Sequence, residues 1–312
     1  MNDGVVMEAR GLTKRFGALT AVDDLGFSVR RGEIFALLGP NGAGKTSTIR
    51  MICGLTRPSA GSIVFGEGLA ATTGRPSLGL CPQDIVVWDT LTCLEQLVFV
   101  AQMHDLRPKI ARGRALELLE AMGLQDRKDK QAKTLSGGMR RRLNIALGLV
   151  HDPAILVLDE PQAGLDPQSR VLVRDYIRGL KEERTVILTT HDMEEADKLA
   201  DRVAIIDRGR LLVLDTPKGL KEADGGEEIL ELRFEEADPG RVEALTRKLG
   251  ARGFALSQAP GQFLVMVKEV VAGIAAVTEA SAAAGLAIED LRIRRRSLED
   301  VFMSLTGRGL RE

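Results

Sequence analysis

One octapeptide constrains this chain more than any other feature. Gly39-Pro40-Asn41-Gly42-Ala43-Gly44-Lys45-Thr46 fits the pattern GxxxxGK[ST]. It follows the apolar run Ile34-Phe35-Ala36-Leu37-Leu38 and opens the helix-like run Thr46 to Cys53, which Gly54 closes. A strand before and a helix after are the context that gives this pattern its meaning. The glycines let successive backbone N–H groups curl inward, and the helix that follows adds its positive end. Lys45 is placed to neutralise the β- and γ-phosphates of a nucleotide. Thr46 offers a hydroxyl to Mg2+, and Ser47 continues the same turn.

Three further apolar runs share this character. Ala154-Ile155-Leu156-Val157-Leu158 ends at Asp159-Glu160, Thr185-Val186-Ile187-Leu188 ends at Thr189-Thr190-His191, and Val203-Ala204-Ile205-Ile206 ends at Asp207. Runs this apolar suit strands covered on both faces, as in a parallel sheet. Polar residues past their C-terminal ends lie where open α/β sheets bind ligands. The pair Asp159-Glu160 is suited to two roles: the Asp to a metal's water shell, the Glu to accepting a proton from an attacking water.

Between Leu91 and Val150 the period turns helical. Leu94, Leu97 and Val98 recur at helical spacing, as do Leu116, Leu119 and Met122. A helical subdomain at about residues 85–150, set between sheet strands, is the expectation. Near Ala223-Asp224-Gly225-Gly226-Glu227-Glu228 the composition shifts to glycine and acid, and a boundary is placed there, giving domains 1–225 and 226–312. The second reads βαββαβα, close to a split βαβ unit. Asp238 and Pro239 open one of its helices, Gly250 is expected to end that helix, and Ser297-x-x-Asp300 has the form of a capping box before a last helix.

Composition excludes some functions. Lys+Arg is 43 against Asp+Glu 44, a net charge of -1, so no strongly basic domain argues for nucleic acid. No run of about 18 apolar residues is present, so a membrane span must come from another chain. Met1-Asn2-Asp3-Gly4 lacks the basic and apolar pattern of a secretory signal. The 3 cysteines, Cys53, Cys81 and Cys93, form no CxxC pair, and neither a disulfide framework nor a zinc site is expected.

Leu135-Ser136-Gly137-Gly138-Met139 lies upstream of Asp159. Taken with the phosphate loop and the acidic strand end, it resembles the signature of ABC transporter ATP-binding proteins, and the resemblance covers roughly residues 5 to 220. It implies an α/β fold: a P-loop ABC-type nucleotide-binding domain with a mixed sheet core and an inserted helical subdomain, followed by a small C-terminal α+β unit. It implies ATP and Mg2+ as cofactors, catalytic Glu160, His191 and Lys45, and a metal held by Thr46, Gln83 and Asp159. It further implies a nucleotide cradle of Phe16, Gly39, Pro40, Asn41, Gly42, Ala43, Gly44, Lys45, Thr46, Ser47 and Gln83. Ser136, Gly137 and Gly138 complete the ATP site of a second copy in such proteins, so the resemblance implies a homodimer around two ATP.

By the same resemblance, Phe16 matches the aromatic that stacks on adenine, and Gln83 the loop that reports nucleotide state to a membrane partner. His191 matches the switch histidine, and Ala163-Gly164-Leu165-Asp166 the loop crossing the dimer interface. Two positions depart from the pattern: Met139 stands where Gln is usual, and Gln162 where Thr or Ser is usual. His104 and His151 match no such position and are read as structural. Arg140, Arg141 and Arg142 are read as lying largely on the exposed side of the signature helix.

Ser297-Leu298-Glu299-Asp300-Val301-Phe302 resembles the tail of the daunorubicin-resistance-like branch of bacterial drug, lipid and polysaccharide exporters. The run Arg292, Arg294, Arg295 and Arg296 is read either as a solvated strand edge or as a contact for anionic lipid or a partner. The functional expectation is an ATPase driving export through a separate multi-spanning membrane subunit, peripheral at the cytoplasmic face of the cell membrane. The alternative is a soluble ABC-type ATPase acting on nucleic acid or ribosomes. Against it stand a single cassette, no heptad run and near-neutral charge. A regulatory cassette without activity is disfavoured because Lys45, Asp159, Glu160 and His191 are all present.

Overall fold

The apolar runs become adjacent strands. The computed structural model describes residues 4–66, 77–181, 183–223, 228–235, 238–259 and 262–306. The chain opens with β1 (Val5–Phe16), β2 (Leu19–Arg30), β3 (Ile34–Leu38), α1 (Lys45–Ile52), β4 (Ala60–Phe65) and β5 (Leu78–Cys81). Three helices follow, α2 (Cys93–Met103), α3 (Pro108–Ala121) and α4 (Gly137–Leu149). The sheet then resumes: β6 (Ile155–Asp159), α5 (Pro167–Leu180), β7 (Thr185–Thr190), α6 (Met193–Leu199), β8 (Arg202–Asp207) and β9 (Arg210–Asp215).

The six-stranded sheet has the order β5-β6-β7-β3-β8-β9. Its first five strands are parallel and β9 is antiparallel, so the sheet is mixed. All five residues of β3 and of β6 are buried, as strands covered on both faces require. A second, antiparallel sheet, β2-β1-β4, packs on one face. Phe27 of β2 stacks on Phe35 of β3 with ring centres 5.1 Å apart. Met7, Leu12, Leu25, Leu37 and Ile49 of α1 complete this core. Truncating Phe35 to Ala would cost about 3–5 kcal/mol at so closed a site.

The helical insert lies between β5 and β6. Thr92 caps α2, accepting from the Glu95 amide at 3.1 Å, while Glu95 accepts from the Thr92 amide at 2.8 Å. In α3 the buried stripe is Ala111, Ala115, Leu118 and Leu119, continued by Met122, with Leu116 only half-buried. The α4 helix is buried on nearly every side from Leu143 to Leu149.

The chain divides into two compact units, 1–216 and 217–312. The boundary read from composition near residue 225 lies outside the described residues. The second unit begins with α7 (Pro217–Glu222) and continues β10 (Glu228–Phe234), α8 (Pro239–Ala251), β11 (Ala255–Ala259), β12 (Gln262–Val267), α9 (Val270–Ala284), β13 (Ile288–Arg295) and α10 (Leu298–Thr306). From β10 onward this is the βαββαβα order read from the sequence. Its sheet is antiparallel throughout, in the order β11-β12-β10-β13. Two helices cover one face, and Leu230, Leu232, Leu245, Phe263, Val265 and Val277 fill the core between.

Asp238 caps α8 and Pro239 takes its first position. That helix runs past Gly250 to Ala251, and the left-handed turn falls on Gly253, at φ 84°. Ser297 and Asp300 form the reciprocal cap of α10. The arginine run does not present a single face. Arg294 bonds Asp300 at 2.6 and 2.8 Å and Glu231 at 3.0 Å, and Arg296 is buried. Arg292 pairs with Asp290 at 2.8 Å, and Arg295 is left outermost. Alternation sends Arg295 to the opposite face of β13 from Arg292 and Arg294, and Arg296 lies beyond the strand, so the four charges do not make one patch.

Candidate nucleotide site

The polar tips of β3, β6 and β7 meet at one edge of the parallel sheet, because these strands are direct neighbours running the same way. The loop after β3 is held by close backbone approach. A Cβ on Gly39 would lie 2.2 Å from the Ile206 carbonyl oxygen, and one on Gly44 would lie 2.4 Å from that of Ala21. Gly42 and Gly44 sit at φ 82° and 101°, conformations that L side chains rarely adopt. Asn41 and Gly42 are exposed at the loop tip, Ala43 is buried beneath, and Pro40, Thr46 and Ser47 are half-buried.

Lys45 folds back under the loop. Its Nζ donates to the carbonyl oxygens of Gly39 at 2.7 Å and Pro40 at 3.0 Å, and lies 3.6 Å from Glu160 Oε1. Burial pulls the Lys45 ammonium below the usual lysine range, against the opposing pull of Glu160 and Asp159.

At the tip of β6, Asp159 is buried and its Oδ1 accepts from the Thr189 hydroxyl. Glu160 is turned by a left-handed φ of 49°, uncommon for a non-glycine residue. Its amide donates to Thr189 at both the hydroxyl, 3.0 Å, and the carbonyl, 3.2 Å. The turn places one carboxylate oxygen near Lys45 and the other 3.0 Å from His191 Nδ1. His191 is 53% exposed while Glu160 is nearly enclosed. A cavity of about 150 Å³ opens beside them, lined in part by Gln162, Gly164, Asp192 and Leu199. The Gln162 side-chain oxygen is buried with no hydrogen-bond partner among the described residues.

The structure thus brings Lys45, Asp159, Glu160 and His191 together. Other sequence candidates stand at the surface. Phe16 is 53% exposed, with the Lys14 ammonium 5.0 Å from its ring centre. The Gln83 side chain is exposed beyond β5. Ser136 caps α4, its hydroxyl accepting from the Met139 amide at 3.3 Å, and Ser136 and Gly137 are exposed. Gly138 faces Asp166, the cap of α5, and a Cβ there would lie 3.3 Å from the Asp166 carboxylate, a tight contact. Among the described residues, no hydrogen bond or ion pair joins Ser136, Gly137 or Gly138 to Lys45 or Glu160.

The arginine reading needs correction. Arg140 and Arg142 are half-buried, and Arg141 is 2% exposed. Arg141 reaches into the core and donates to backbone carbonyls beside Gln83 and Glu160. The helix is covered on both sides by the insert and the sheet, so no face of its first turn is free for three charges. The sequence signal was a guanidinium beside an otherwise apolar stripe, which spacing alone assigns to solvent.

The site holds oxygen donors of the kind a divalent ion takes. No cluster of three His, Cys, Asp or Glu able to hold a metal is present among the described residues. One hydroxyl, Thr46, and one carboxylate, Asp159, is the donor set Mg2+ uses when phosphate oxygens and water supply the rest. The residues fit that ion as a companion of bound nucleotide and not as a resident metal.

Comparison with known proteins agrees with this geometry. The family profile described as ABC transporter matches residues 22–163. The chain is 40% identical over 308 residues to the daunorubicin/doxorubicin resistance ATP-binding protein DrrA of Streptomyces peucetius, covering 96% of this chain and 92% of that protein. It is 39% identical over 311 residues to the Nod factor export ATP-binding protein I of Ralstonia nicotianae, covering 98% and 95%. A solved ATP-binding subunit of an ABC transporter superposes with a TM-score of 0.63 at 28% identity, over 70% of this chain and 93% of that one. With a phosphate loop, an acidic strand tip and full-length relatives of one kind, this chain belongs to the ABC transporter family, as one of its ATP-hydrolysing ATP-binding subunits.

Proposed function

We propose that this chain is the motor of an exporter, hydrolysing ATP between two copies of itself to drive a separate multi-spanning membrane subunit. The observation that carries the reading is the Glu160 carboxylate, enclosed between Lys45 at 3.6 Å and His191 at 3.0 Å. A carboxylate so placed accepts the proton of an attacking water, and His191 orients it. On binding, the β- and γ-phosphates replace the Gly39 and Pro40 carbonyls as partners of Lys45. The backbone from Gly39 to Ser47 cradles the phosphates, and Phe16 offers its face to adenine. Thr46, Asp159 and Gln83 would hold Mg2+, which would supply charge neutralisation at the phosphates.

Ser136 and Gly137 are exposed and far from needing partners in their own copy, which supports their use by the nucleotide of a second copy. No described helix is long and apolar enough to cross a membrane, which supports a separate membrane subunit. The names of the relatives, a daunorubicin/doxorubicin resistance protein and a Nod factor export protein, support the export reading, with a drug, lipid or polysaccharide as the proposed cargo. Nothing in them supports the alternative of a ribosome- or nucleic-acid-directed ATPase.

The test is capture of the tagged Glu160→Gln protein with ATP from detergent-solubilised host membranes. Recovery of a multi-spanning protein supports the reading. Recovery of ribosomes or nucleic acid alone overturns it.

A further inference from the structure

Arg141 carries a buried charge with no carboxylate in its hydrogen bonds or ion pairs among the described residues. Its five N–H donors go instead to five different backbone carbonyls. Nε donates to Pro161 at 3.1 Å; Nη1 to Pro82 at 3.2 Å and Gln83 at 2.5 Å; Nη2 to Asp159 at 3.0 Å and to Glu160. A guanidinium has five donors in a fixed planar fork, and here each one is used. One turn later Asn144 continues the attachment. Its Oδ1 accepts from the Val86 amide at 3.1 Å, and its Nδ2 lies 3.2 Å from Cys81 Sγ and 3.4 Å from the Pro82 carbonyl.

Three segments that are distant in sequence are therefore joined through one side chain: the loop after β5, the turn after β6, and the helix that opens at Ser136. The turn is the demanding one. Glu160 sits at φ 49°, a conformation costing of order 1 kcal/mol that persists only where its surroundings over-determine it. Thr189 fixes the amide side of that residue and Arg141 its carbonyl side. Release of the carbonyl would let the peptide rotate and carry the carboxylate away from Lys45 and His191.

We infer that Arg141 is a positioning residue for ATP hydrolysis, holding the Glu160 peptide and the Gln83 loop in one rigid piece with the signature helix. The inference rests on Glu160 being the proton acceptor, as proposed above. Lysine at this position keeps a positive charge but offers three donors on a flexible stem and cannot reproduce the fork. Glutamine keeps polarity without charge. A role in bulk packing would lower stability and leave turnover per folded molecule alone. A positioning role lowers kcat and leaves nucleotide affinity in place, because the phosphate loop is not part of the clamp.

The experiment compares full-length wild type, Arg141→Lys, Arg141→Gln, Glu160→Gln and the double variant Arg141→Lys/Glu160→Gln. ATPase kcat, nucleotide Kd from a fluorescent ATP analogue, and amide hydrogen exchange across residues 82–87 are measured on each. The expected result is a fall in kcat of at least about tenfold in both Arg141 variants, with Kd within about threefold of wild type. Exchange at 82–87 quickens in both. The double variant turns over no more slowly than Glu160→Gln alone, since the two lesions act on one group. Wild-type kcat in Arg141→Lys, or a double variant slower by the full product of the two losses, overturns the inference. Wild-type turnover in Glu160→Gln overturns the proton-acceptor assignment instead, and the exchange data at 82–87 then still report on the clamp.

Discussion

The Glu160 carboxylate and the His191 imidazole meet at 3.0 Å from the tips of two adjacent parallel strands, one group nearly enclosed and the other half in solvent. The pairing needs no long-range coincidence. Asp159 and Thr189 are register partners in the sheet, so residues 160 and 191 leave it side by side. The carboxylate is enclosed, the imidazole is accessible, and the cavity of about 150 Å³ opens beside both.

That relationship predicts a separation of chemistry from binding. Glu160→Gln keeps the shape and loses the carboxylate proposed as proton acceptor. Its kcat should fall by about 10²–10⁴-fold while nucleotide Kd changes little. A matched loss of affinity would show instead that Glu160 serves mainly to hold the loop through Lys45.

Lys45→Ala should act on binding first. It removes the cation proposed to face the phosphates and leaves the enclosed Glu160 with His191 but without its ammonium partner. The expected loss in nucleotide binding is about 2–5 kcal/mol, read by calorimetry. An affinity within twofold of wild type would contradict the proposed phosphate contact.

The stacked pair His104–His151 predicts a limb in the pH dependence of stability. The rings lie 3.8 Å apart. Burial first, then the neighbouring His104, pulls the His151 pKa down to about 4, against the Leu78 carbonyl and Asp152, which raise it. An unfolded histidine titrates near 6.5. The folded value is depressed, so the unfolded chain binds the proton more readily. Stability is full above pH 6.5 and declines as pH falls from there to about 4. His151→Gln should flatten this limb in urea melts by no more than about 3 kcal/mol, less where solvent reaches the ring. A limb of unchanged slope would assign it to other groups.

In the second unit, Arg294 joins Glu231 of β10 to Asp300 of α10. Burial alone would raise the Asp300 carboxyl, but Arg294 and Ser297 hold it below the usual carboxylate range. Arg294→Ala strands that carboxylate and should destabilise this unit by about 1–3 kcal/mol, the half-exposed arginine limiting the loss. Adding Asp300→Ala should restore part of it. A strictly additive double variant in urea unfolding would show the two groups to be independent.

Much of this was legible in the sequence because the nucleotide edge is built from local patterns. A glycine loop between a strand and a helix, and polar residues just past apolar runs, are each written in fewer than ten consecutive residues. The order of elements in the second unit was legible for the same reason, through strand alternation and two side-chain caps. Arg141 was not. Its partners lie 18 to 59 positions away and are backbone oxygens, which carry no residue-type signal. An arginine triplet at the start of a helix reads as surface unless the packing of both neighbours is known. The split of the tail arginines into inward and outward groups likewise needed the pairing of β10 with β13.

The backbone oxygens of Ala21 and Ile206 that press on Gly44 and Gly39 have an entropic meaning. They set the phosphate loop like a mould between two neighbouring strand ends before any ligand arrives. In the proposed binding step the loop backbone keeps its shape and Lys45 alone exchanges the Gly39 and Pro40 carbonyls for phosphate, so little backbone ordering entropy is lost on capture.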